Sequence, residues 1–327
     1  MTDPVRLGVI GANSFVARAA IYPAVAASRQ IDIVAAASNS GPPLEVSEVR
    51  RSTYQEVLDD AQVEAVYIPL PNDMHREWTE RAAAAGKHVL CEKPLATTQS
   101  DVAAMYDACR NADVILAEAF MTPFHPRTRA VSEAVTSGAI GDVRSIRSEF
   151  TFTIGPEHAD NFRWKPHHGG GALWDVGIYT LSPIMEFLDN PRVCNVTSAS
   201  GRSAVDATTS VTLATAEASA TALCSFEMTE RQLLEIRGTA GTISVPHAYT
   251  PSIEDDHYTV EHADGSRDRI VTGGADPYRH MLETFASACR GQAEWPRGQA
   301  ATLAMVGKII EILSMINHGA APMRSRD

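Results

Sequence analysis

The chain has 327 residues, more than one hydrophobic core usually serves, so two domains are expected. Its composition, 44% hydrophobic and 21% charged, is that of an ordinary globular protein, and a formal net charge of −12 argues against nucleic acid or an anionic membrane as partner. A small molecule is the expected ligand. Five cysteines (Cys91, Cys109, Cys194, Cys224 and Cys289) are scattered, odd in number and form no Cys-x-x-Cys, which fits reduced thiols. A strand pattern already begins at Val5, leaving no room for a signal peptide, and no apolar run approaches a membrane span; the expected location is cytoplasmic.

Val5 to Ile10 reads as a short apolar strand, followed by Gly11-Ala12-Asn13-Ser14-Phe15-Val16-Ala17 and the helix-favouring Arg18-Ala19-Ala20. A strand, a tight glycine turn and a helix start form a phosphate cradle, because free N–H groups at a helix N-terminus face a pyrophosphate. Gly8 and Gly11 fit a dinucleotide fingerprint, while Asn13 stands where a second loop glycine is expected and Val16-Ala17 replace the last one. Asn tolerates positive φ better than most residues, so the turn is expected to survive. Gly8, Gly11, Asn13, Ser14 and Phe15 are the candidate cofactor residues here.

Ile31 to Ala37 is a second strand ending at Ser38-Asn39-Ser40, where such a unit reads the ribose. With no acidic residue near Asn39 to repel a 2′-phosphate, and with the hydroxyls of Ser38 and Ser40 able to donate to one, the turn points to NADP, with NAD tolerated. Ala65 to Ile68 is a third strand, broken by Pro69-Leu70-Pro71-Asn72, and His75 to Ala85 reads as a helix closed by Gly86. His75 either caps that helix or lines the cofactor pocket.

The apolar run Val89 to Cys91 ends a further strand and delivers Glu92-Lys93 onto Pro94, whose ring keeps Lys93 extended at the strand's carboxyl end. Open α/β sheets bind ligands at that edge. A helix from Gln99 to Asn111, with Thr98 as N-cap, and a strand from Val114 to Glu118 follow. Alternation of this kind specifies an α/β domain, a doubly wound parallel sheet ending near Phe120.

Beyond Pro123 and Pro126 the texture changes. A helix from Arg127 to Ser137 and a half-buried strand from Val143 to Ile154 lead to a polar loop with Arg163-Trp164 and His167-His168-Gly169-Gly170-Gly171, then a helix from Ala172 to Leu188. Strand patterns follow at Val193 to Ala199, Val211 to Leu213, Thr221 to Glu227, Leu233 to Gly238 and Thr242 to Val245, and helices from Tyr278 to Arg290 and Gln299 to Asn317 close the chain. The economical reading is an α+β domain on a mostly antiparallel open sheet with helices on one face. An exposed apolar sheet normally finds a partner, which predicts a homodimer or homotetramer through that face. Two adjacent histidines without a carboxylate or cysteine at ligand spacing read as loop residues rather than metal ligands. Trp164 either stacks on a sugar ring or covers a domain seam, and Arg163 is suited to a hydroxyl or phosphate.

The order of motifs resembles the Gfo/Idh/MocA family of NAD(P)-dependent oxidoreductases. The matching text is Gly8-Val9-Ile10-Gly11, Tyr67-Ile68-Pro69-Leu70-Pro71-Asn72 with His75, Gly86-Lys87-His88-Val89-Leu90-Cys91-Glu92-Lys93-Pro94-Leu95, Glu118-Ala119-Phe120-Met121 with His125-Pro126, Gly138-Ala139-Ile140-Gly141, and Gly169-Gly170-Gly171-Ala172-Leu173 with Asp175-Val176-Gly177-Ile178-Tyr179. The resemblance spans essentially the whole chain. It implies a Rossmann domain over 1–121 and a substrate-binding and oligomerisation domain over 122–327, and the alternating strands and the break near Phe120 predict an active site in the cleft between two domains. It implies that Lys93 is the active-site lysine, that Asp175 and Tyr179 belong to the catalytic group, and that Pro69, Leu70, Asn72, His75, Glu92 and Lys93 border the cofactor. Where relatives often have Tyr-Arg after the Phe-Met, this chain has Thr122-Pro123, so a cation and an aromatic are missing; His125 remains as a further substrate candidate beside Arg163 and Trp164.

Moving a hydride between nicotinamide and a secondary carbinol requires a group that takes or gives the hydroxyl proton and positive charge where an alkoxide develops. Tyr179, with an intrinsic pKa of about 10 that a nearby ammonium would lower, is the expected acid/base. Lys93 supplies charge and relay, and Asp175, four residues before Tyr179, orients the substrate. The expected substrate is carbohydrate-like: a sugar, cyclitol or nucleotide-sugar. A redox-neutral lyase or glycosidase using transient oxidation by bound NAD, and a regulator that senses NAD(P), are the alternatives; the proton-transfer set disfavours the regulator, and a redox-neutral enzyme releases no net NAD(P)H.

Overall fold

A computed structural model describes residues 3–39, 50–201 and 203–319, so Ser40 lies outside the described residues. The chain divides into two compact units, the first holding Met1–Pro126, Pro251–Glu254 and Gly274–Leu303, the second Arg127–Thr250, Asp255–Gly273 and Ala304–Asp327.

The first unit opens with β1 (Val5–Ile10) and a π turn, Ala17–Ile21, that runs into α1 (Tyr22–Ala26). There follow β2 (Ile31–Ala37), β3 (Arg50–Arg51), α2 (Tyr54–Asp59), β4 (Ala65–Ile68), α3 (His75–Ala84), β5 (His88–Glu92), α4 (Gln99–Asn111) and β6 (Leu116–Ala119). The strands are parallel in the order β3-β2-β1-β4-β5-β6, so the winding reverses between β1 and β4. Every residue of β4 is buried and β1 is buried from Leu7 onward, which is why these strands read as unbroken apolar runs. Carboxyl ends at such a reversal form a crevice for ligands. The sixth strand starts later than the expected Val114: Asp113 takes φ 55° and the Val114 N–H returns to the Cys109 carbonyl, so the helix C-cap consumes residues that looked like strand. Helix α2 has its own N-terminal signal, a capping box in which Thr53 and Glu56 satisfy each other's backbone N–H.

Downstream come α5 (Pro126–Thr136), β7 (Val143–Thr153), α6 (Ile178–Phe187), β8 (Arg192–Ser200), β9 (Asp206–Ala214), β10 (Ser219–Ser225), β11 (Glu227–Gly238), β12 (Gly241–Pro246), β13 (His257–His262) and β14 (Arg267–Val271). Helices α7 (Pro277–Cys289) and α8 (Gln299–Gly319) close the chain. The eight strands form one sheet in the order β14-β13-β12-β11-β7-β10-β9-β8, parallel only between β7 and β10. The β13–β14 hairpin escapes a reading by apolar alternation because β14 is almost wholly exposed; its turn is set by Gly265 at φ 83° and by Asp264, which accepts the Ser266 N–H.

Strand β7 sorts its side chains by alternation. Ile146, Ser148 and Phe150 are buried, and the Ser148 hydroxyl donates to the Thr180 carbonyl on α6. On the other side Glu149 is held between Arg147 and Arg231. That face is therefore polar and ion-paired, which corrects the expectation of an apolar one. A second correction concerns α8: Gln299–Ile316 has the length and composition to cross a membrane, with mean hydropathy 1.5, although its Met305, Val306, Ile309 and Ile312 are buried within the protein.

Candidate active site

At the end of β1, Gly11 takes φ 102°, and the N–H groups of Gly11 and Ala12 both donate to the Ala37 carbonyl at 2.9 Å, tying the turn to the end of β2. A Cβ on Gly11 would lie 2.8 Å from Leu70 Cδ2 and 3.2 Å from the Pro69 carbonyl, so Pro69 and Leu70 close over the turn and leave room only for glycine. Asn13 is not among the described residues with positive φ, so the turn does not draw on its tolerance. Ser14 accepts the Ala17 N–H at 3.2 Å, and the Tyr22 hydroxyl donates to the Ala12 carbonyl at 2.6 Å. Phe15 is 82% exposed beside them. Gly8 has a packing reason of its own, since a Cβ there would come within 2.5 Å of Val57 Cγ1 on α2. A glycine-only turn at the sheet's reversal, leading into a helical segment with no acidic residue in its first turn, fits the phosphates of a dinucleotide. Ser38 and Asn39 follow β2 directly, Ser38 half-buried and Asn39 exposed.

Lys93 follows β5 at the same edge. The Lys93 N–H donates to Glu92 Oε2 at 3.2 Å, and the Tyr67 hydroxyl donates to Glu92 Oε1 at 2.7 Å. Burial, with the Glu92 carboxylate second, pushes the Tyr67 pKa well up and keeps it a donor. His75 is fully buried, with Nδ1 3.0 Å from the Pro94 carbonyl and Nε2 2.8 Å from the Leu70 carbonyl. Burial lowers its pKa against the opposing pull of the carbonyls at Leu70, Pro94 and Leu95. The ring thus joins the loop after β4 to the segment after β5, beside the buried Asn72. Glu118, 1% exposed, accepts the Leu95 N–H at 3.1 Å through Oε1, and the Arg297 Nε at 2.8 Å and Thr302 hydroxyl at 2.9 Å through Oε2. Tyr67, Glu118 and Arg297 were not singled out for a role in the sequence; a buried charge is visible only once strands and return segment are assembled. His125 is fully buried, with Nε2 3.2 Å from the Ser252 carbonyl, and Thr122-Pro123 opens a 3-10 turn in which Thr122 is buried.

In the second unit the expected helix from Ala172 begins instead with a π turn, Leu173–Gly177, that carries Asp175, and passes into α6, whose first turn carries Tyr179. Arg163 forks onto Asp175, Nε to Oδ2 at 2.6 Å and Nη2 to Oδ1 at 3.3 Å. Their side chains are 27% and 13% exposed, so the pair is partly withdrawn from water. Asp206 anchors the same turn, accepting the Leu173 N–H at 2.9 Å and the Thr209 hydroxyl at 3.0 Å. Its carboxylate fills the space a Cβ on Gly171 would need, 2.2 Å away, and burial raises its pKa to about 6. Gly170 is needed because a Cβ would meet the Arg163 carbonyl at 2.5 Å. Tyr179 is 6% exposed and lies edge-on to Phe150 at 5.5 Å, while Phe150 stacks on Tyr249 at 5.6 Å. Trp164 is 4% exposed and makes a T-shaped contact with Phe226 at 5.6 Å, so its ring is packed inside the unit. His167 and His168 lie ring to ring at 4.1 Å on the loop before Gly169.

Each unit thus assembles part of the expected set: the candidate cofactor turn, Lys93, His75 and Glu92 in one, Arg163, Asp175 and Tyr179 in the other.

Comparison with known proteins agrees with this division. A model of the oxidoreductase family with an NAD-binding Rossmann fold matches residues 5–120, and the GFO/IDH/MocA C-terminal domain matches residues 128–244. A D-xylose 1-dehydrogenase (NADP(+)) from Haloferax volcanii is 38% identical over 250 residues, 75% of each chain. A dTDP-3,4-didehydro-2,6-dideoxy-alpha-D-glucose 3-reductase from Saccharopolyspora spinosa is 34% identical over 89% of each chain. Among solved structures, a 3-ketoreductase from Actinomadura kijaniata in complex with NADP and TDP-benzene superposes with a TM-score of 0.88 at 27% identity, covering 95% of this chain and 98% of that one. With both halves matched in order and relatives of this identity covering most of its length, the chain belongs to the Gfo/Idh/MocA family of oxidoreductases.

Proposed function

We propose that the chain is an NADP-preferring oxidoreductase that interconverts a secondary alcohol and a ketone on a sugar or nucleotide-sugar. The observation that carries this reading is the position of Lys93 at the carboxyl edge of the parallel sheet, the same edge that carries a glycine turn shaped for a dinucleotide. The relatives support the substrate class: one is named for xylose and NADP(+), another for a dTDP-sugar ketone, and a solved relative holds NADP.

Gly11, Asn13, Ser14 and Phe15 would hold the pyrophosphate side of the cofactor, Ser38 and Asn39 the ribose, and Pro69, Leu70, Asn72 and Glu92 would border the remainder. When bound, the nicotinamide supplies or accepts the hydride. The chain's own part is the proton and the charge. Tyr179 gives or takes the hydroxyl proton, and the Lys93 ammonium stabilises the oxygen as negative charge develops. Asp175, turned by the Arg163 fork, accepts a substrate hydroxyl and fixes which carbon reacts. His75 acts through the two loops that it joins. We further propose a homodimer or homotetramer formed through the ion-paired face of the eight-stranded sheet; a strictly monomeric mass at micromolar concentration would count against it.

The test is a panel of aldoses, cyclitols and dTDP-keto sugars, followed at the nicotinamide absorbance with NADP and NAD in parallel. Turnover of a sugar with net NADPH change is the expected result. Turnover without net change in nicotinamide would establish the redox-neutral reading instead, and NAD binding about tenfold tighter than NADP, a preference of roughly 1.4 kcal/mol, would reverse the cofactor preference.

A further inference from the structure

We propose that Glu118, with Arg297 as its counter-ion, is a positioning residue for Lys93. This inference rests on the reading above that Lys93 serves the reaction.

The lysine stem is long and flexible, so the reach of its ammonium is set by how firmly the backbone beneath it is fixed. Lys93 lies just past the end of β5, where the strand ladder no longer fixes the chain. Other groups take over. The Lys93 N–H goes to Glu92, the Pro94 carbonyl faces His75, and the Leu95 N–H goes to Glu118. Pro94 has no N–H of its own, so Leu95 carries the next backbone donor after the lysine, and Glu118 is its acceptor.

A neutral side chain would serve as acceptor if the turn needed nothing more than a satisfied N–H. A carboxylate that is 1% exposed is instead a costly choice, because an ion taken out of water needs close partners to offset several kcal/mol. Glu118 has them on both oxygens. Arg297 comes from a segment 179 residues away and donates to Oε2, as does Thr302 at the start of α8. The guanidinium carbon sits 5.0 Å from the centre of the Phe120 ring, two residues beyond Glu118, so Arg297 is held from two sides. Two donors therefore fix one oxygen of the carboxylate, and the other oxygen fixes the turn that carries Lys93. Buried pairs of this kind contribute little net stability compared with apolar residues, but they define a geometry.

Two variants break the link between Leu95 and Arg297 in different ways. Glu118→Gln keeps the length but has one acceptor oxygen, so serving the Leu95 N–H turns its amide nitrogen onto the Arg297 and Thr302 donors; Glu118→Asp keeps the charge but is one methylene too short to serve Leu95 and Arg297 together. Steady-state kinetics with NADP and the substrate found in the panel should show kcat lowered by about tenfold or more in both variants, the scale expected of a misplaced catalytic group. The NADP dissociation constant should stay within about threefold in both. Because Glu118→Gln strands the Arg297 charge, that variant is repeated with Arg297→Met, where no charge is left unpaired; its melting temperature should recover while kcat stays about tenfold down. Wild-type kcat in Glu118→Asp, or losses in both variants that follow their melting temperatures, would overturn the inference. Lys93→Met, run alongside, distinguishes the two levels: if it turns over normally the functional reading fails, and if it is inactive while Glu118→Asp is normal only the positioning role fails.

Discussion

Arg163 holds Asp175 through both of its carboxylate oxygens, at 2.6 and 3.3 Å, reaching from the glycine loop to the π turn that opens α6. A fork of this type fixes the plane of a carboxylate as well as its charge, which a lysine cannot do. Arg163→Lys should therefore lower kcat/KM by about tenfold and Arg163→Met by about a hundredfold, with NADP affinity unchanged. Asp175→Asn should raise KM and lower kcat together. Steady-state kinetics with a parallel cofactor titration check both, and a loss of NADP binding in either would move this pair out of the substrate side.

Asp206 makes the stability of the second unit depend on pH. Burial raises its pKa from 3.8 to about 6, so the folded state favours the protonated acid. That contribution is fully present below the unfolded value near 3.8 and is lost as pH rises through about 6; the difference amounts to at most about 3 kcal/mol. Asp206→Asn should flatten the fall in unfolding midpoint between about pH 4 and pH 7. Urea melts of the two proteins across that window measure it, and equal slopes would show that Asp206 does not titrate there.

Gly11→Ala places a methyl group 2.8 Å from Leu70 Cδ2 at φ 102°. Both the contact and the backbone conformation oppose it, so the variant should lose more than about 1 kcal/mol of stability and bind NADP at least about tenfold more weakly. Leu70→Ala in the same chain relieves the contact but not the dihedral strain, and should recover part of the stability. Thermal melts and NADP titration of the single and double variants provide the check.

Much of the fold was legible because buried parallel strands and capped helices announce themselves: Ala65 to Ile68 is apolar throughout, and Thr98 caps α4 through the Asp101 N–H. The assignment of Tyr179 and Asp175 rests on the resemblance, since spacing alone puts them on an ordinary helix face. What stayed hidden depends on long-range assembly. The Arg163–Asp175 fork crosses a glycine loop, Arg297 reaches Glu118 across 179 residues, and Asp206 anchors a helix start from a strand on another part of the sheet. The polar face of that sheet was misread because alternation reports which positions share a side, and only Arg147, Glu149 and Arg231 seen together reveal its ion pairs.

The most direct measurement is kcat for Lys93→Met, Tyr179→Phe and the double variant, read as change in nicotinamide absorbance with the substrate identified by the panel. Each single variant should lose about a hundredfold or more with NADP affinity within a few-fold, and the double should be little worse than the poorer single, because groups that act in one proton transfer are not additive. Near-wild-type turnover by Tyr179→Phe, or multiplied losses in the double variant, would contradict the assignment of Tyr179 and Lys93 to one catalytic assembly.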